Sequence, residues 1–424
     1  MELKVELVPE RMPVVVAFAE SAAKSAGLAA PETTMLALST EELFLALCSS
    51  IPGAGITVRF QDRRYAADLL FQVPQPPDLR IFNITSRPDH ETEEGLAEMG
   101  LFLASRACDQ FSIRQMELGG WEIMLRKERN YPAPVQQSQP HPAVQTWQLT
   151  TSPAPDLVKQ FSALIADSFA ACQFPEEFTP PGRLLDKLAS NEYGIILAQG
   201  EQGELAGGLI WHADEGRMVA CFGPYLAAPT EPEQLTIALC EKLTEQFGRS
   251  NRLGLVLYAP QQPPVAAGFE AAGSLAIPGG TIWTGYRMLA EEFGADAAVA
   301  TELMPFYTDW CSSMALARNI RAYHDDGETA NGLTLFATRL NRSTGMARLT
   351  PLLVGRDAEA VLEEHLQLLD QEQFSAIYCT VDTGRPFDAL LAPHLLKRGF
   401  TPRMLVPWGG TGDLIHLHRA GGSR

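Results

Sequence analysis

The C-terminal part of this chain repeats itself, and a repeated supersecondary unit restricts the fold more than any single motif does. Val219-Ala220-Cys221-Phe222-Gly223-Pro224-Tyr225-Leu226 is echoed by Met346-Ala347-Arg348-Leu349-Thr350-Pro351-Leu352-Leu353. At the same spacing Glu245-Gln246-Phe247 is echoed by Glu372-Gln373-Phe374, and after a short deletion Gly273 finds its counterpart in Gly399. In each copy an apolar strand leads to an amphipathic helix, a buried strand, a second helix and a glycine turn. Two copies are too few for a solenoid. The pattern predicts a domain of two similar halves, with Pro224 and Pro351 where neighbouring strands begin to diverge.

The 424 residues allow about two to four domains. Asp and Glu number 51 against 33 Lys and Arg, a formal charge of -18, and no basic run is present to oppose phosphates. Nucleic acid and anionic membrane are therefore poor partners. Apolar stretches such as Leu101 to Ala104 fall far short of the roughly 20 residues of a membrane span. The opening Met-Glu-Leu-Lys-Val-Glu reads as a strand rather than a signal peptide, so a cytoplasmic location is expected. The seven cysteines are scattered without a C-x-x-C and read as buried reduced thiols, not a zinc site.

Residues 130–145 are rich in Pro and Gln and nearly free of bulky apolar side chains, the composition of an extended linker. They separate a first domain, residues 1–129, from the repeated region, divided into 146–290 and 291–424. In the first domain helical spacing covers Pro13 to Ala26, Thr33 to Cys48 and Glu94 to Cys108, with strands at Ile56 to Gln61, Ala67 to Val73 and Trp121 to Arg126. The expected fold class is α+β: an N-terminal α/β sandwich, then two mixed α/β halves forming a duplicated C-terminal domain.

Thr40-Glu41-Glu42-Leu43-Phe44-Leu45-Ala46-Leu47 resembles the helix of the GHKL (histidine kinase-like) ATP-binding fold, in particular that of anti-sigma-factor serine kinases. The resemblance implies a water-orienting glutamate at Glu41 and a magnesium-holding asparagine at the position of Leu45. Leucine offers no oxygen to a hard cation. The adenine loop of the family, Asp-x-Gly-x-Gly, corresponds to Val73-Pro74-Gln75-Pro76-Pro77-Asp78, where proline stands in place of glycine. The later Gly-Leu element is kept as Gly95-Leu96-Ala97-Glu98-Met99-Gly100-Leu101, followed by Asp109 and Gly119-Gly120. Glu41, Gly95, Gly100 and Leu101 are therefore the candidate nucleotide-binding residues, with ATP/Mg as the implied ligand; a solvated Glu41 and packing glycines are the plainer reading.

The order strand, two helices, three strands, helix, strand, helix, strand over Gln145 to Leu289 resembles the GNAT acyltransferase fold. Phe222-Gly223-Pro224-Tyr225-Leu226 resembles its central strand, whose backbone pairs with pantetheine, and Ala267 to Gly273 resembles the late Tyr-Glu-x-x-Gly-Phe element. Phenylalanine stands at Phe269, where a proton-donating tyrosine is usual. The pyrophosphate loop, normally glycine-rich at a helix N-terminus, is here Ala228-Pro229-Thr230-Glu231-Pro232-Glu233-Gln234. In the second copy it is Val354-Gly355-Arg356-Asp357-Ala358-Glu359. The acyl-CoA slot implied is Phe222, Gly223, Tyr225 and Arg356.

His416 and His418 alternate on a terminal strand near Asp413 and so point the same way. An exposed edge-strand pair is expected there, rather than three metal ligands. No catalytic residue and no metal site is assigned. The reading is a cytoplasmic regulatory protein that binds a ligand or a protein partner, a sigma factor or anti-anti-sigma-like regulator being the partner type implied, with degraded catalytic sites. The alternatives are an acyl-CoA-dependent N-acyltransferase, with Glu204 or Asp214 as base, and an ATP-binding anti-sigma kinase.

Overall fold

The computed structural model describes residues 1–75, 83–85, 107–116, 119–132, 144–212, 216–227, 229–277, 279–290, 292, 294–323, 332–342 and 344–421. These form two compact units, both mixed α/β. Among the described residues no helix is long and apolar enough to cross a membrane.

The first unit begins with β1 (Glu2–Glu6), α1 (Met12–Ser25), α2 (Ala30–Ser50), β2 (Gly55–Asp62), β3 (Ala66–Val73), β4 (Gln110–Gln115) and β5 (Trp121–Glu128). Its sheet has the order β1-β2-β3-β5-β4, antiparallel throughout. Alternation in the strands sends Val58, Leu69, Phe71, Ile123 and Leu125 to one face, where they pack with Val15, Ala19, Leu36, Leu43, Phe44 and Leu47 of the helices. The opposite face carries Asp68, fully buried because Arg126 grips both its oxygens (2.6 and 2.8 Å) while Arg63 donates at 3.1 Å. Strand β4, with mixed polarity, was not foreseen. Most of the helix expected at Glu94 to Cys108, with Gly95, Gly100 and Leu101, lies outside the described residues.

Residues 331–338 and 350–368 belong to this same compact unit, beside residues 1–131, although the linear reading placed them in the third region. Leu335 joins the cluster of Val58 and Phe71. Asn83 fastens the strand that carries it, donating to the Thr334 carbonyl (2.9 Å) and accepting from the Phe336 N–H (3.0 Å).

The remaining elements are β6 (Gln148–Thr150), α3 (Pro155–Ser168), α4 (Pro181–Ala189), β7 (Tyr193–Gln199), β8 (Leu205–His212), β9 (Met218–Leu226), α5 (Pro232–Phe247), β10 (Gly254–Ala259), β11 (Glu270–Ile277), β12 (Gly280–Met288), β13 (Ala295–Val299), α6 (Met304–Ser313), β14 (Arg318–Ala322), β15 (Leu335–Asn341), β16 (Met346–Leu353), α7 (Ala358–Gln371), β17 (Ala376–Asp382), α8 (Leu391–Lys397), β18 (Thr401–Val406) and β19 (Leu414–Ala420). Strands β13 and β14 form a small parallel pair. The large sheet runs β15-β16-β17-β19-β18-β11-β12-β10-β9-β8-β7-β6.

Two sets of four strands inside this sheet share one pairing scheme. Strand β9 is parallel to β10, β10 antiparallel to β12, and β12 antiparallel to β11. Strand β16 is parallel to β17, β17 antiparallel to β19, and β19 antiparallel to β18. The sets meet through β11 and β18, at Gly273 opposite Met404. A Cβ on Gly273 would lie 2.7 Å from the Met404 Cβ and 3.0 Å from the Arg403 carbonyl, and its φ is +128°. Only glycine fits this seam.

Three expectations from the repeat need correction. Gly273 is not a turn glycine and does not correspond to Gly399. Its place is taken by Gly268, where Gly268 and Phe269 donate to the Val265 and Pro264 carbonyls as Gly399 and Phe400 do to those of Leu396 and Leu395. Both glycines have positive φ, the left-handed end of a helical turn. The second helix survives only in the later set, as α8; in the earlier one Pro263 and Pro264 leave a single 3₁₀ turn, Val265–Ala267, and Ala271 and Ala272 belong to a strand. The strand echo is also one residue out of register. Phe222 pairs with Tyr258, away from the face where Cys221 and Leu257 pack with α5. Leu349, its partner by sequence, pairs with Cys379 on the face opposite Tyr378. By face and ladder position Phe222 corresponds to Arg348, and Tyr258 to Tyr378, since a one-residue slip in a strand exchanges its faces.

Two outcomes follow from this packing. Gly273→Ala should lower stability by about 2–4 kcal/mol in chemical denaturation; an unchanged midpoint would contradict the seam. Proteolytic cleavage between residues 130 and 143 should leave two pieces that co-elute in size-exclusion chromatography, because residues from both sides of the cut build the first unit's core. Separation of the pieces without denaturant would show that Leu335 and Asn83 contribute little.

Candidate functional site

In both strand sets the parallel pair separates before its strands end. The β9–β10 ladder stops at Phe222–Tyr258 while β9 continues to Leu226, and the β16–β17 ladder stops at Leu349–Cys379 while β16 continues to Leu353. Pro224 and Pro351 both lie just beyond the last paired residue. Of the expected slot residues, Phe222 stacks on Tyr258 with centroids 5.6 Å apart. Gly223 is buried with φ +107°. Tyr225 is committed to the core: its ring packs on Phe161 and Phe169 and its hydroxyl donates to the Gln173 carbonyl at 3.0 Å. Arg356 is exposed and belongs to the first unit.

One helix N-terminus follows β9 and another follows β16. At α5, the end of the linker closes the loop. Val144, only 3% exposed, bridges to Pro229 and accepts from the Thr230 N–H and hydroxyl (3.1 and 3.3 Å). The helix then opens with Glu231, Pro232 and Glu233: a proline lacks the donor, and the carboxylates already complement the helix dipole. At α7, the N–H of Gly355 donates to the Thr334 hydroxyl (2.9 Å), and Asp357 and Glu359 supply negative charge at the first turn. At each end one N–H just ahead of the helix is already taken, and the carboxylates of the first turn compete with an incoming anion.

The Gly-Phe pairs Gly268-Phe269 and Gly399-Phe400 give a second way to align the expected tyrosine position. Aligned on them, the tyrosine position of the Tyr-Glu-x-x-Gly-Phe pattern is Pro264 in one set and Leu395 in the other, not Phe269. Neither can transfer a proton. Glu204 accepts from the Gln202 N–H in the β7–β8 turn (2.9 Å); Asp214 lies outside the described residues.

The polar concentration is instead on the sheet face that carries Tyr258 and Tyr378. Ladder neighbours place Phe222, Tyr258 and Thr284 on it from the earlier set, and Arg348, Tyr378, Thr380, His416 and His418 from the later one. The sheet curls enough for the Tyr378 hydroxyl on β17 to donate to the Ala276 carbonyl on β11. Arg348 is exposed, with the Tyr258 and Tyr378 phenols and the like charge of Arg339 in its electrostatic surroundings. His416 is not on an edge: β19 lies between β17 and β18. It is 7% exposed and its Nε2 has no hydrogen-bond partner among the described residues; burial and the Arg348 charge push its pKa down to about 3, so it is neutral. The Thr284 hydroxyl is also buried without a partner.

Asp413 is no candidate ligand beside these histidines. Its carboxylate accepts from Arg318 through both oxygens (2.9 Å each), from the Tyr307 hydroxyl (2.7 Å) and from the Trp408 N–H (2.9 Å). Asp382, at the end of β17, accepts from the N–H groups of Gly384, Thr411 and Gly412 at 2.7–2.9 Å. Among the described residues no cluster of three or more His, Cys, Asp or Glu is placed to hold a metal. Fully satisfied networks of this kind fix loops.

In the first unit Glu41 and Glu42 are both half-buried on α2, and partial burial and the Glu41 charge raise the Glu42 pKa. Leu45 stands one turn on. Two open hollows occur, of about 690 Å³ beside Lys4, Glu6 and Arg11 and about 320 Å³ beside Gln72, Met116 and Gly120. Neither includes Glu41, and neither gathers the unpartnered polar groups found on the large sheet.

Sequence reasoning missed Arg348, Tyr258 and Tyr378. The signal was present: Arg348 is a lone charge within Met346-Ala347-Arg348-Leu349, opposite Cys221 in the echo, where burial should forbid it.

No family model matches the sequence, and comparison with curated proteins gives no match. Solved structures similar to it include aminoglycoside 6'-acetyltransferase type Ii, with 16% identity over 34% of this chain and 99% of that one and a TM-score of 0.26. A GNAT superfamily phosphinothricin acetyltransferase from Sinorhizobium meliloti, in complex with AcCoA, has 20% identity over 34% and 90% and a TM-score of 0.27. The GNAT family N-acetyltransferase YhbS from Escherichia coli, in complex with CoA, has 14% identity over 45% and 96% and a TM-score of 0.25. Strand pairing, rather than these likenesses, carries the description of the fold.

A pH dependence follows from Asp388. It is 1% exposed, donates nothing when ionised, and approaches Arg385 at 3.3 Å without hydrogen-bond geometry at Oδ1. Burial pushes its pKa up to about 7, with Arg385 opposing and Asp382 adding to the rise. The folded state therefore holds this proton more tightly than the unfolded chain. Its stabilising contribution is complete below the ordinary aspartate range and is lost as pH rises through about 7. Asp388→Asn should flatten the fall in Tm between about pH 5 and pH 8 and raise Tm at the upper end by roughly 2 °C or more; an unaltered Tm–pH profile would contradict it.

Proposed function

We propose that this chain is a non-catalytic ligand- or partner-binding protein: a degenerate GHKL-like unit joined to two GNAT-like halves that arose by duplication. The observation that carries this is the state of the α5 N-terminus, where Val144 of the same chain, Pro232 and two glutamates stand where a CoA pyrophosphate would be gripped. The shared strand pairing of β9–β12 and β16–β19 supports the duplicated halves, and the separation of β9 from β10 and of β16 from β17 supports their likeness to GNAT folds. In the first unit, Leu45 in place of a magnesium ligand supports loss of ATP/Mg binding. A regulator of this composition would act in the cytoplasm on a protein partner, of sigma-factor or anti-anti-sigma type, rather than on nucleic acid or membrane.

An acyltransferase is the second reading, favoured by the two strand separations alone. Calorimetry distinguishes them. Acetyl-CoA should bind no tighter than about high micromolar, with no acetyl transfer to amines; ATP/Mg should bind no better. Turnover of acetyl-CoA would establish the acyltransferase, and a micromolar ATP affinity lost in Glu41→Ala would restore a nucleotide site.

A further inference from the structure

Arg348 is the side chain that the rest of the molecule leaves unexplained. It rises from β16 onto the concave face of the curled sheet, its ladder neighbour being Tyr378. Among the described residues neither Arg348 nor Arg339 of the adjoining β15 has a carboxylate partner or a hydrogen bond. The chain has 51 acidic residues for 33 basic ones, so an arginine without a partner is not for want of carboxylates. Arg348 is exposed, so its charge is open to a ligand, and the Tyr258 and Tyr378 phenols lie in its electrostatic surroundings. A guanidinium with no ion pair of its own can take a bound anion without first giving one up.

The surroundings describe the rest of the ligand. Phe222 and Tyr258, the pair that corresponds to Arg348 and Tyr378 in the other strand set, stack nearly parallel with an interplanar angle of 22°. The Tyr258 hydroxyl has no hydrogen-bond partner among the described residues and interacts electrostatically with Arg348. Partnerless polar atoms sit on the same face: His416 Nε2 on a ring 7% exposed, and Thr284 Oγ1, fully buried. Met346 and Ile282 border an apolar cluster there. One face thus offers a cation, a flat aromatic wall and uncommitted donors. A guanidinium fork matches a carboxylate, and the wall matches a ring.

We infer that the concave face of the large sheet is a binding site for a small aromatic carboxylate, its carboxylate on Arg348 and its ring against Phe222 and Tyr258. The inference rests on the binding reading above, but its test is separate, because acetyl-CoA is not among the probes.

The test is calorimetry on the full chain with phenylacetate and 4-phenylbutyrate, and with phenylacetamide, acetate and inorganic phosphate as controls. At least one aromatic acid should saturate below about 10 mM, and each control should bind about tenfold more weakly or not at all. Arg348→Gln should weaken the aromatic acid by about tenfold or more while leaving the apo Tm close to the parent's, since Arg348 makes no ion pair or hydrogen bond among the described residues. Phe222→Leu should weaken it too while sparing any residual acetate binding. The site is overturned if neither acid saturates, if Arg348→Gln binds as well as the parent, or if acetate or phosphate binds as tightly as the aromatic acids. Failure here with acetyl-CoA still unbound would remove this ligand and leave the non-catalytic reading standing.

Discussion

The close approach of β11 to β18 at Gly273 and Met404 is the contact on which the second unit depends. Each strand set alone is a four-stranded sheet with an open edge, and an open edge must be paired or covered. Pairing edge to edge makes one continuous sheet, and accumulated strand twist then curls it. The curl brings Tyr378 within hydrogen-bonding reach of Ala276 and places Arg348 and Tyr258 in one electrostatic environment. Without a glycine at the seam the strands could not approach, and the concave face would not exist.

The helix ends tell a complementary story. A helix N-terminus is an anion site by default, and it stops being one when its donors are used or its dipole is already complemented. At α5 and α7 four acidic residues complement the dipole, Pro232 lacks a donor, and Val144 and Thr334 each take one N–H just ahead of the helix. Positive charge is found instead at the strands, at Arg348, which has no ion pair among the described residues. The fold type alone does not decide activity; the positions at which charge is spent or left open are what separate a transferase from a binding protein.

Much of this was legible in the sequence where periodicity was strong. Leu235, Leu239 and Leu243 recur at helical spacing in α5, and Leu253 to Tyr258 is an unbroken apolar run leading into β10, because single-face and two-face burial leave different patterns. Register was not legible. The echo of Pro224 in Pro351 aligned well, but a one-residue slip leaves an apolar strand looking the same while exchanging its faces. Pro263 and Pro264 gave a local reason why the second helix of the earlier set is absent, which the resemblance to Ala267–Gly273 concealed. His416 was read as an edge residue because it stands near the chain's end, whereas order along the chain does not give order across a sheet. Arg348 was passed over because a single arginine is usually a surface residue; only the ladder that puts it beside Tyr378 gives it meaning.

Hydrogen–deuterium exchange at the first turns of α5 and α7, with and without saturating acetyl-CoA, tests the central claim most directly. If the chain's own groups occupy the phosphate positions, the amides of residues 230–236 and 355–360 exchange identically in both states. Protection of either segment by acetyl-CoA would mean that the pyrophosphate site is open, and the account of a protein that has given up this grip would be wrong.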